Sequence, residues 1–231
     1  MILLIGIITM LVSLFVQWRL KSKFHQYSQI PLAKGMSGAE VAEYMLRDNG
    51  IYNVRVMSVE GQLTDHYNPA DRTVNLSHDV YHGRNASAVA VAAHEVGHAV
   101  QHAQAYAPLT LRSKLVPVQA VSANILNMIL MIAIFGGAFL YRSFPMNMVI
   151  LVIIACHAVI TLVSVITLPV EFDASRRALA WIDSRGIVSS REHEMAKDAL
   201  KWAALTYVVA ALGALAQLLY YLSLFMGRRD E

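Results

Sequence analysis

The stretch MNMVILVIIACHAVITLVSVITL, Met146 to Leu168, runs for 23 residues without a charged side chain. As a helix it would be about 34 Å long, which is enough to cross a hydrocarbon core of about 30 Å. Directly after it comes PVEFDASRRALAW, Pro169 to Trp181, which is rich in charged residues. The sequence therefore predicts a membrane span at 146–168 that leads straight into a polar segment.

Three further apolar runs predict three more transmembrane helices, at 1–18, 118–140 and 202–226. The first run is expected to be a retained anchor rather than a cleaved signal peptide, because basic residues follow it and none precedes it. Tyr141 to Pro145 is only long enough for a turn between the second and third spans. That hairpin returns the chain to the face it left, so we expect the polar segments 19–117 and 169–201 to share one side of the membrane.

The distribution of basic residues indicates which side this is. Sixteen of the 19 Lys and Arg residues lie between Arg19 and Lys114 or between Arg176 and Lys201. Basic residues mark the cytoplasmic side of membrane proteins. We therefore predict a multi-pass protein of the plasma membrane with its polar domain in the cytoplasm, and no nucleic-acid partner despite the net charge of +3. The single cysteine, Cys156, excludes an internal disulfide.

The stretch AVAAHEVGHAVQH, Ala90 to His102, contains the pattern H-E-x-x-H at residues 94–98. Side chains four residues apart share a helix face, so the imidazoles of His94 and His98 are able to bind one ion. Glu95 is offset from that face and is placed to act as a general base. The pattern predicts a Zn²⁺ cofactor.

A catalytic zinc needs a third protein ligand. His102 fails on geometry, because eight residues of helix place it roughly 12 Å along the axis from His94. Glu171 lies just beyond the span at 146–168, on the membrane face that the hairpin selects, and it is the candidate for the third ligand. Asp173 is the rival, and both acids also suit the start of a helix.

The polar segment 19–117 is predicted to mix helices with a small antiparallel sheet. Ser37 and Glu40 form a capping box for a first helix. Strand-like stretches at 52–61 and 72–76 flank a turn at Asn68 to Asp71. The motif helix is expected from about Ala86 to about Tyr106, capped by Asn85 or Ser87. A further helix is expected from about 170 to 183, with Pro169 in its first turn.

Taken together, AVAVAAHEVGHAVQH, LPVEFDASRRAL and DHYNPADRTVNLSHDVY resemble the YugP-like family of bacterial membrane-bound neutral zinc metallopeptidases over nearly the whole chain. The chain is more distantly similar to gluzincins, whose E-x-x-A-D helix carries the third zinc ligand. The resemblance implies a zincin-like α+β catalytic domain and favours Glu171 over Asp173. Ser175 stands where that pattern has Asp, which in the wider group orients a ligand histidine, so the resemblance implies that this chain orients its histidine in another way.

The predicted function is that of an integral-membrane zinc endopeptidase acting on proteins or peptides, membrane proteins among them. Candidates for an oxyanion donor are His78, Tyr81, His82 and Arg176, and the strand at 72–76 is a candidate for binding an extended substrate. The alternatives are a metal transporter or sensor and a catalytically silent scaffold. The spans lack Asp and Glu, which counts against a transporter.

Four polar residues inside the spans have two interpretations. Asn124 and Asn127 share a face of the second span, and His157 and Gln217 lie deep in the third and fourth. They predict hydrogen bonds between packed helices or a polar path into the membrane.

Overall fold

The computed structural model describes residues 1–136 and 144–227. In chain order its elements are α1 (Ile2–Ser28), α2 (Gly38–Asp48), β1 (Arg55–Val59), β2 (His66–Asn68), β3 (Thr73–Ser77), α3 (His78–Tyr81), α4 (Ala86–Ala103), α5 (Ala107–Phe135), α6 (Met146–Ser184) and α7 (Ser190–Gly227). The protein is mainly helical, as predicted.

Four of the described helices, α1, α5, α6 and α7, are long and apolar enough to cross a membrane. They agree with the four predicted spans in number and position along the chain. Each extends beyond its predicted run at one end at least, and α5 ends at Phe135, before the predicted limit of 140. Residues 137–140 of the second predicted span and 141–143 of the predicted turn lie outside the described residues.

The chain divides into two compact units. The apolar unit contains Met1–Ser13, Leu111–Leu168 and the chain from Tyr207 onward. The motif unit contains Leu14–Thr110 and Pro169–Thr206, and with them the H-E-x-x-H helix and Glu171. The division into cytoplasmic and membrane segments stays a prediction.

Pro169 lies inside α6 and does not begin a new helix. The predicted helix from 170 to 183 is therefore the continuation of the span rather than a separate element. A proline within a helix leaves one carbonyl without its helical N–H partner and favours a kink, but here the α-helix continues on both sides. The helix ends near Gly186, as expected, with that glycine at φ +56.

Local sequence signals place the elements of the motif unit well. Ser37 caps α2 and forms the predicted capping box with Glu40. Asn85 rather than Ser87 caps α4, accepting from the backbone N–H of Ala88 at 2.9 Å. Helix α4 begins at Ala86 as predicted and ends three residues early, at Ala103.

The small sheet is mixed, not antiparallel as predicted. Its order is β1-β3-β2, with β1 parallel and β2 antiparallel to β3. The turn at Asn68 to Asp71 joins β2 to β3, as expected, and the Asn68 side chain accepts from the N–H of Ala70. The error arises because the chain after β1 crosses to the far side of β3 before it pairs, so β1 and β3 run in the same direction.

The core of the motif unit packs α4 against α2 and the sheet. Small residues dominate the buried side of α4, where Ala88, Ala92 and Ala93 are fully buried. They allow close approach of neighbouring elements, as dense packing requires. Helix α4, which carries the H-E-x-x-H residues, is thus largely buried.

Candidate metal centre

His94 and His98 of α4 and Glu171 of α6 lie together in the motif unit. Each offers one ligand atom, and these atoms all lie within 4.8 Å of one another. The nearer carboxylate oxygen of Glu171, Oε2, is 3.3 Å from Nε2 of His94 and 3.6 Å from Nε2 of His98. Glu171 is 2% exposed. The three residues that the sequence predicted as metal ligands are thus close enough together to bind one ion.

The spacing of these atoms fits a bound zinc ion. Tetrahedral zinc with bonds of about 2.0–2.1 Å holds neighbouring ligand atoms about 3.3 Å apart. Charge-assisted hydrogen bonds between imidazolium and carboxylate are shorter, at about 2.7–2.9 Å. The observed separations match the edges of a coordination shell better than a direct hydrogen bond. Two imidazoles and a carboxylate are also a donor set that suits zinc.

Gln101 holds His98 in one tautomer. Its Nε2 donates to the carbonyl of Val170 at 2.8 Å and to Oδ2 of Asp173 at 2.9 Å, both of which are acceptors. Its Oε1 must then face Nδ1 of His98, at 3.0 Å, and accept a proton from it. Nδ1 therefore carries the hydrogen, and the lone pair of Nε2 points toward Glu171. Sequence reasoning missed this fully buried glutamine, because no local pattern distinguishes it from an incidental polar residue.

Ser175 orients the other histidine. Its Oγ lies 3.1 Å from Nδ1 of His94, so a hydroxyl stands at the position where the gluzincin pattern has a carboxylate. The resemblance implied that this chain orients its histidine in another way. The orienting group does differ, because it is a hydroxyl and not a carboxylate, but it occupies the same position in the sequence pattern. A hydroxyl both donates and accepts, so Ser175 restrains the ring of His94 without fixing its tautomer.

Glu95 is positioned by the sheet. The backbone N–H of Tyr67, in β2, donates to Oε2 of Glu95 at 3.0 Å, and Glu95 is 8% exposed. The hydroxyl of Tyr67 lies 2.8 Å from Nδ1 of His102. Strand β2 is thus attached to α4 at two points. His102 is a partner of this strand and not part of the ligand cluster, in agreement with the geometric argument against it.

Asp173, the other candidate for the third ligand, binds side chains outside the ligand cluster. Besides Gln101 it pairs with Arg176 and Arg177, and it is 5% exposed. It therefore supports the glutamine that orients His98. This pairing also engages Arg176, one of the candidates for an oxyanion donor. The rings of His78 and His82, two other candidates, lie 4.6 Å apart.

Gly97 allows α4 and α6 to approach closely. A Cβ atom at this position would lie 3.1 Å from the Cα of Ala174 and 2.7 Å from its carbonyl oxygen, and the second distance is shorter than real Cβ contacts. The glycine of H-E-V-G-H therefore lets the backbone of α6 come near the motif helix. That approach carries Glu171, three residues before Ala174, to the two histidines.

The electrostatics of the centre agree with this arrangement. Burial acts to raise the pKa of Glu171, but His94 and His98 outweigh it and lower the pKa below its ordinary value. For His98 burial acts to lower the pKa, and Glu171, Glu95 and Gln101 together raise it. Burial raises the pKa of Asp65, a nearby carboxyl that accepts from the N–H of Ser77 at 2.7 Å.

Comparisons with known proteins agree with the motifs. Residues 2–226 match the family described as "Putative neutral zinc metallopeptidase". The chain is 43% identical over 219 residues to "Putative membrane protease YugP" of Bacillus subtilis (strain 168), which covers 95% of this chain and 94% of the relative. No solved structure matches the chain. The chain therefore belongs to this family of neutral zinc metallopeptidases, as the sequence resemblance indicated.

Proposed function

We propose that the protein is an integral-membrane zinc endopeptidase in which His94, His98 and Glu171 hold the metal and Glu95 is the general base. The observation that carries the proposal is the convergence of three ligand atoms within 4.8 Å, from two helices, beside a buried glutamate. The family match supports zinc and peptidase chemistry. The order of spans supports a site close to one membrane face.

The protein residues have separate tasks in peptide hydrolysis. A zinc ion in this centre would lower the pKa of a bound water and polarise the scissile carbonyl. Because Oε2 of Glu95 accepts from the N–H of Tyr67, Oε1 is the atom that takes the proton from the attacking water. The same oxygen then returns the proton to the nitrogen of the leaving amine. Gln101 and Ser175 keep the two imidazoles oriented throughout.

The strand that binds an extended substrate must be an edge strand. The predicted candidate at 72–76 corresponds to β3, which pairs with β1 on one side and β2 on the other, so it has no free edge for strand addition. Strand β2 is the edge strand beside Glu95. Within a strand, the N–H and C=O of one residue point to the same edge. We therefore assign the carbonyl of Tyr67, on the edge that faces Glu95, as the backbone acceptor for a substrate.

The cytoplasmic location of the site is part of the proposal. It is supported by the basic residues that flank the spans, among them Arg19, Lys21 and Lys23. Reporter fusions after Gly50 and after Gly186 test it. Both should be active with a cytoplasmic reporter and silent with a periplasmic one, and the opposite pattern would contradict the orientation.

The alternative is a metal transporter or sensor that binds zinc without hydrolysis. The predicted spans contain no Asp or Glu and a single histidine, His157, which argues against transport, because a metal path needs several ligands within the membrane. Glu95 argues against a sensor, since a carboxylate beside the ligands and held by a backbone N–H serves proton transfer. Zinc uptake by proteoliposomes that is unaffected by Glu95→Gln would favour the alternative.

Glu95→Gln tests the proposal most directly. The detergent-purified variant should keep about one zinc ion per chain, because all three ligands remain. It should lose casein cleavage by a factor of about 10²–10⁴, the usual contribution of a general base. Glu43→Gln, the same change at an exposed position of α2, is the matched control and should cleave like the wild type. Cleavage retained by Glu95→Gln would refute the role of Glu95.

A further inference from the structure

Helix α5 has an exposed pair of asparagines in an uncharged span. In its most apolar 18-residue stretch only 6% of the residues are buried within this chain, against 28% in the corresponding stretch of α6. Asn124 and Asn127 are both exposed. Asn127 lies about 20 Å along the helix axis from Lys114, at about 1.5 Å per residue. In a bilayer with a hydrocarbon core of about 30 Å, both amides fall within the apolar region.

These asparagines make no hydrogen bond within the described parts of the chain. Three hydroxyl side chains of the apolar unit, by contrast, find an acceptor in their own helix. Ser122, Ser164 and Thr167 each donate to the carbonyl four residues earlier in their own helix, at 2.8–2.9 Å. An amide left without a partner in hydrocarbon is costly. The pair therefore needs a partner from outside the described parts of the chain.

The neighbours of the two asparagines form a continuous seam along α5. Its six members are all exposed and follow one another at alternating steps of three and four residues: Pro117, Ala120, Asn124, Asn127, Met131 and Ile134. This spacing has a period of 3.5, which keeps one face in contact with a parallel helix through left-handed packing. Transmembrane helices associate mostly in this geometry. The asparagines occupy the middle of the seam, with apolar residues at both ends.

We propose that two copies of the chain associate in the membrane along this seam, with Asn124 and Asn127 of one copy hydrogen-bonded to the same residues of the other. Two copies inserted with the same topology place their α5 helices parallel and every residue at equal depth. Each asparagine then faces an amide that both donates and accepts, so the pair is self-complementary. Any other membrane partner would need amides at matching depths. The proposal does not depend on the peptidase activity.

Association in lipid is the first test. Full-length protein, labelled at an added tag, is reconstituted in liposomes and diluted with lipid while energy transfer between copies is followed. Wild type should show a dimer, and Asn124→Leu with Asn127→Leu should raise the dissociation constant by about tenfold, as expected for two interhelical amide pairs. Gln217→Leu, an amide replaced on α7, is the matched control and should behave like wild type. Circular dichroism checks that each variant is folded.

Cross-linking locates the interface. In a Cys156→Ala background, Met131→Cys lies on the seam and Leu130→Cys lies about 100° away on the helix, and the native residues are similarly exposed at 53% and 56%. Oxidation should give a disulfide-linked dimer for Met131→Cys and little for Leu130→Cys. A wild-type monomer at all lipid dilutions, equal cross-linking at both positions, or unchanged association after the Asn replacements would overturn the proposal. The proposal would also be overturned if the Asn replacements left the oligomeric state unchanged but abolished binding to another membrane protein. The seam would then be the binding surface for that protein.

Discussion

Replacing Gln101 by leucine should weaken zinc binding without removing any proposed ligand. The substitution keeps a side chain of similar size in the buried space between α4 and α6. It removes the acceptor for Nδ1 of His98 at 3.0 Å and the two donors to Val170 and Asp173. Asp173 keeps Arg176 and Arg177 as partners. The group left without a partner is therefore Nδ1–H of His98.

The expected magnitude follows from that single lost partner. A buried donor without an acceptor costs about 1–3 kcal/mol of stability. Loss of a residue that orients a metal-ligating histidine typically costs 10–100-fold in metal affinity, which corresponds to about 1.4–2.8 kcal/mol. Part of this loss comes from the second tautomer of His98, which becomes accessible in Gln101→Leu and carries its hydrogen on Nε2, the atom that must bind the metal.

The assay is competition for zinc between the purified protein and a chromophoric chelator, combined with ¹⁵N spectra of labelled histidine in the metal-free protein. Gln104→Leu is the matched control, since it makes the same change on an exposed residue at the end of the same helix, bonded to Arg177. It should leave the affinity unchanged. If Gln101→Leu is folded, binds zinc as tightly as wild type and shows the same tautomer of His98, the orienting role of Gln101 is wrong.

Three further outcomes are expected. Gly97→Ala places a Cβ 2.7 Å from the carbonyl oxygen of Ala174 and should destabilise the protein by about 1–3 kcal/mol and reduce its zinc content; Gly6→Ala, where no atom lies within 4 Å, is the control, and equal thermal unfolding of the two variants would contradict the close packing. Ser175→Ala should weaken zinc binding less than Gln101→Leu, because the hydroxyl does not fix the tautomer of His94; a larger loss in the same competition assay would show the ranking to be wrong. Removal of zinc with a chelator should abolish casein cleavage, and added zinc should restore it; cleavage that persists in metal-free protein would exclude the proposed chemistry.

The proposed ligands could be predicted from the sequence because their geometry is local. The i, i+4 spacing of His94 and His98 determines which way the two rings face once the segment is a helix. Counting spans placed both Glu171 and Asp173 on the membrane face of the motif helix, since a hairpin returns the chain to the same face, and the family resemblance favoured Glu171. Neither step required knowledge of how distant parts of the chain pack.

The residues that orient the ligands could not be predicted in the same way. The N–H of Tyr67 reaches Glu95 only because β2 pairs on the far side of β3, and no local pattern specifies that pairing. Gln101 resembles an incidental polar residue until Val170 and Asp173 of α6 are placed against it. The close contact of Gly97 with Ala174 likewise depends on the path of two backbones. Local periodicity identifies ligands, whereas packing between elements determines the groups that support them.

Charge balance explains why this arrangement calls for a divalent cation. Glu95 and Glu171 are 8% and 2% exposed, and both lie beside the motif histidines. Two buried carboxylates are strongly unfavourable unless positive charge compensates them. The neutral imidazoles that metal binding requires supply none, so one divalent ion neutralises the pair. Glu95→Gln removes one of these charges but none of the ligands, and it should therefore weaken zinc binding less than Glu171→Gln, which removes a charge and a ligand together.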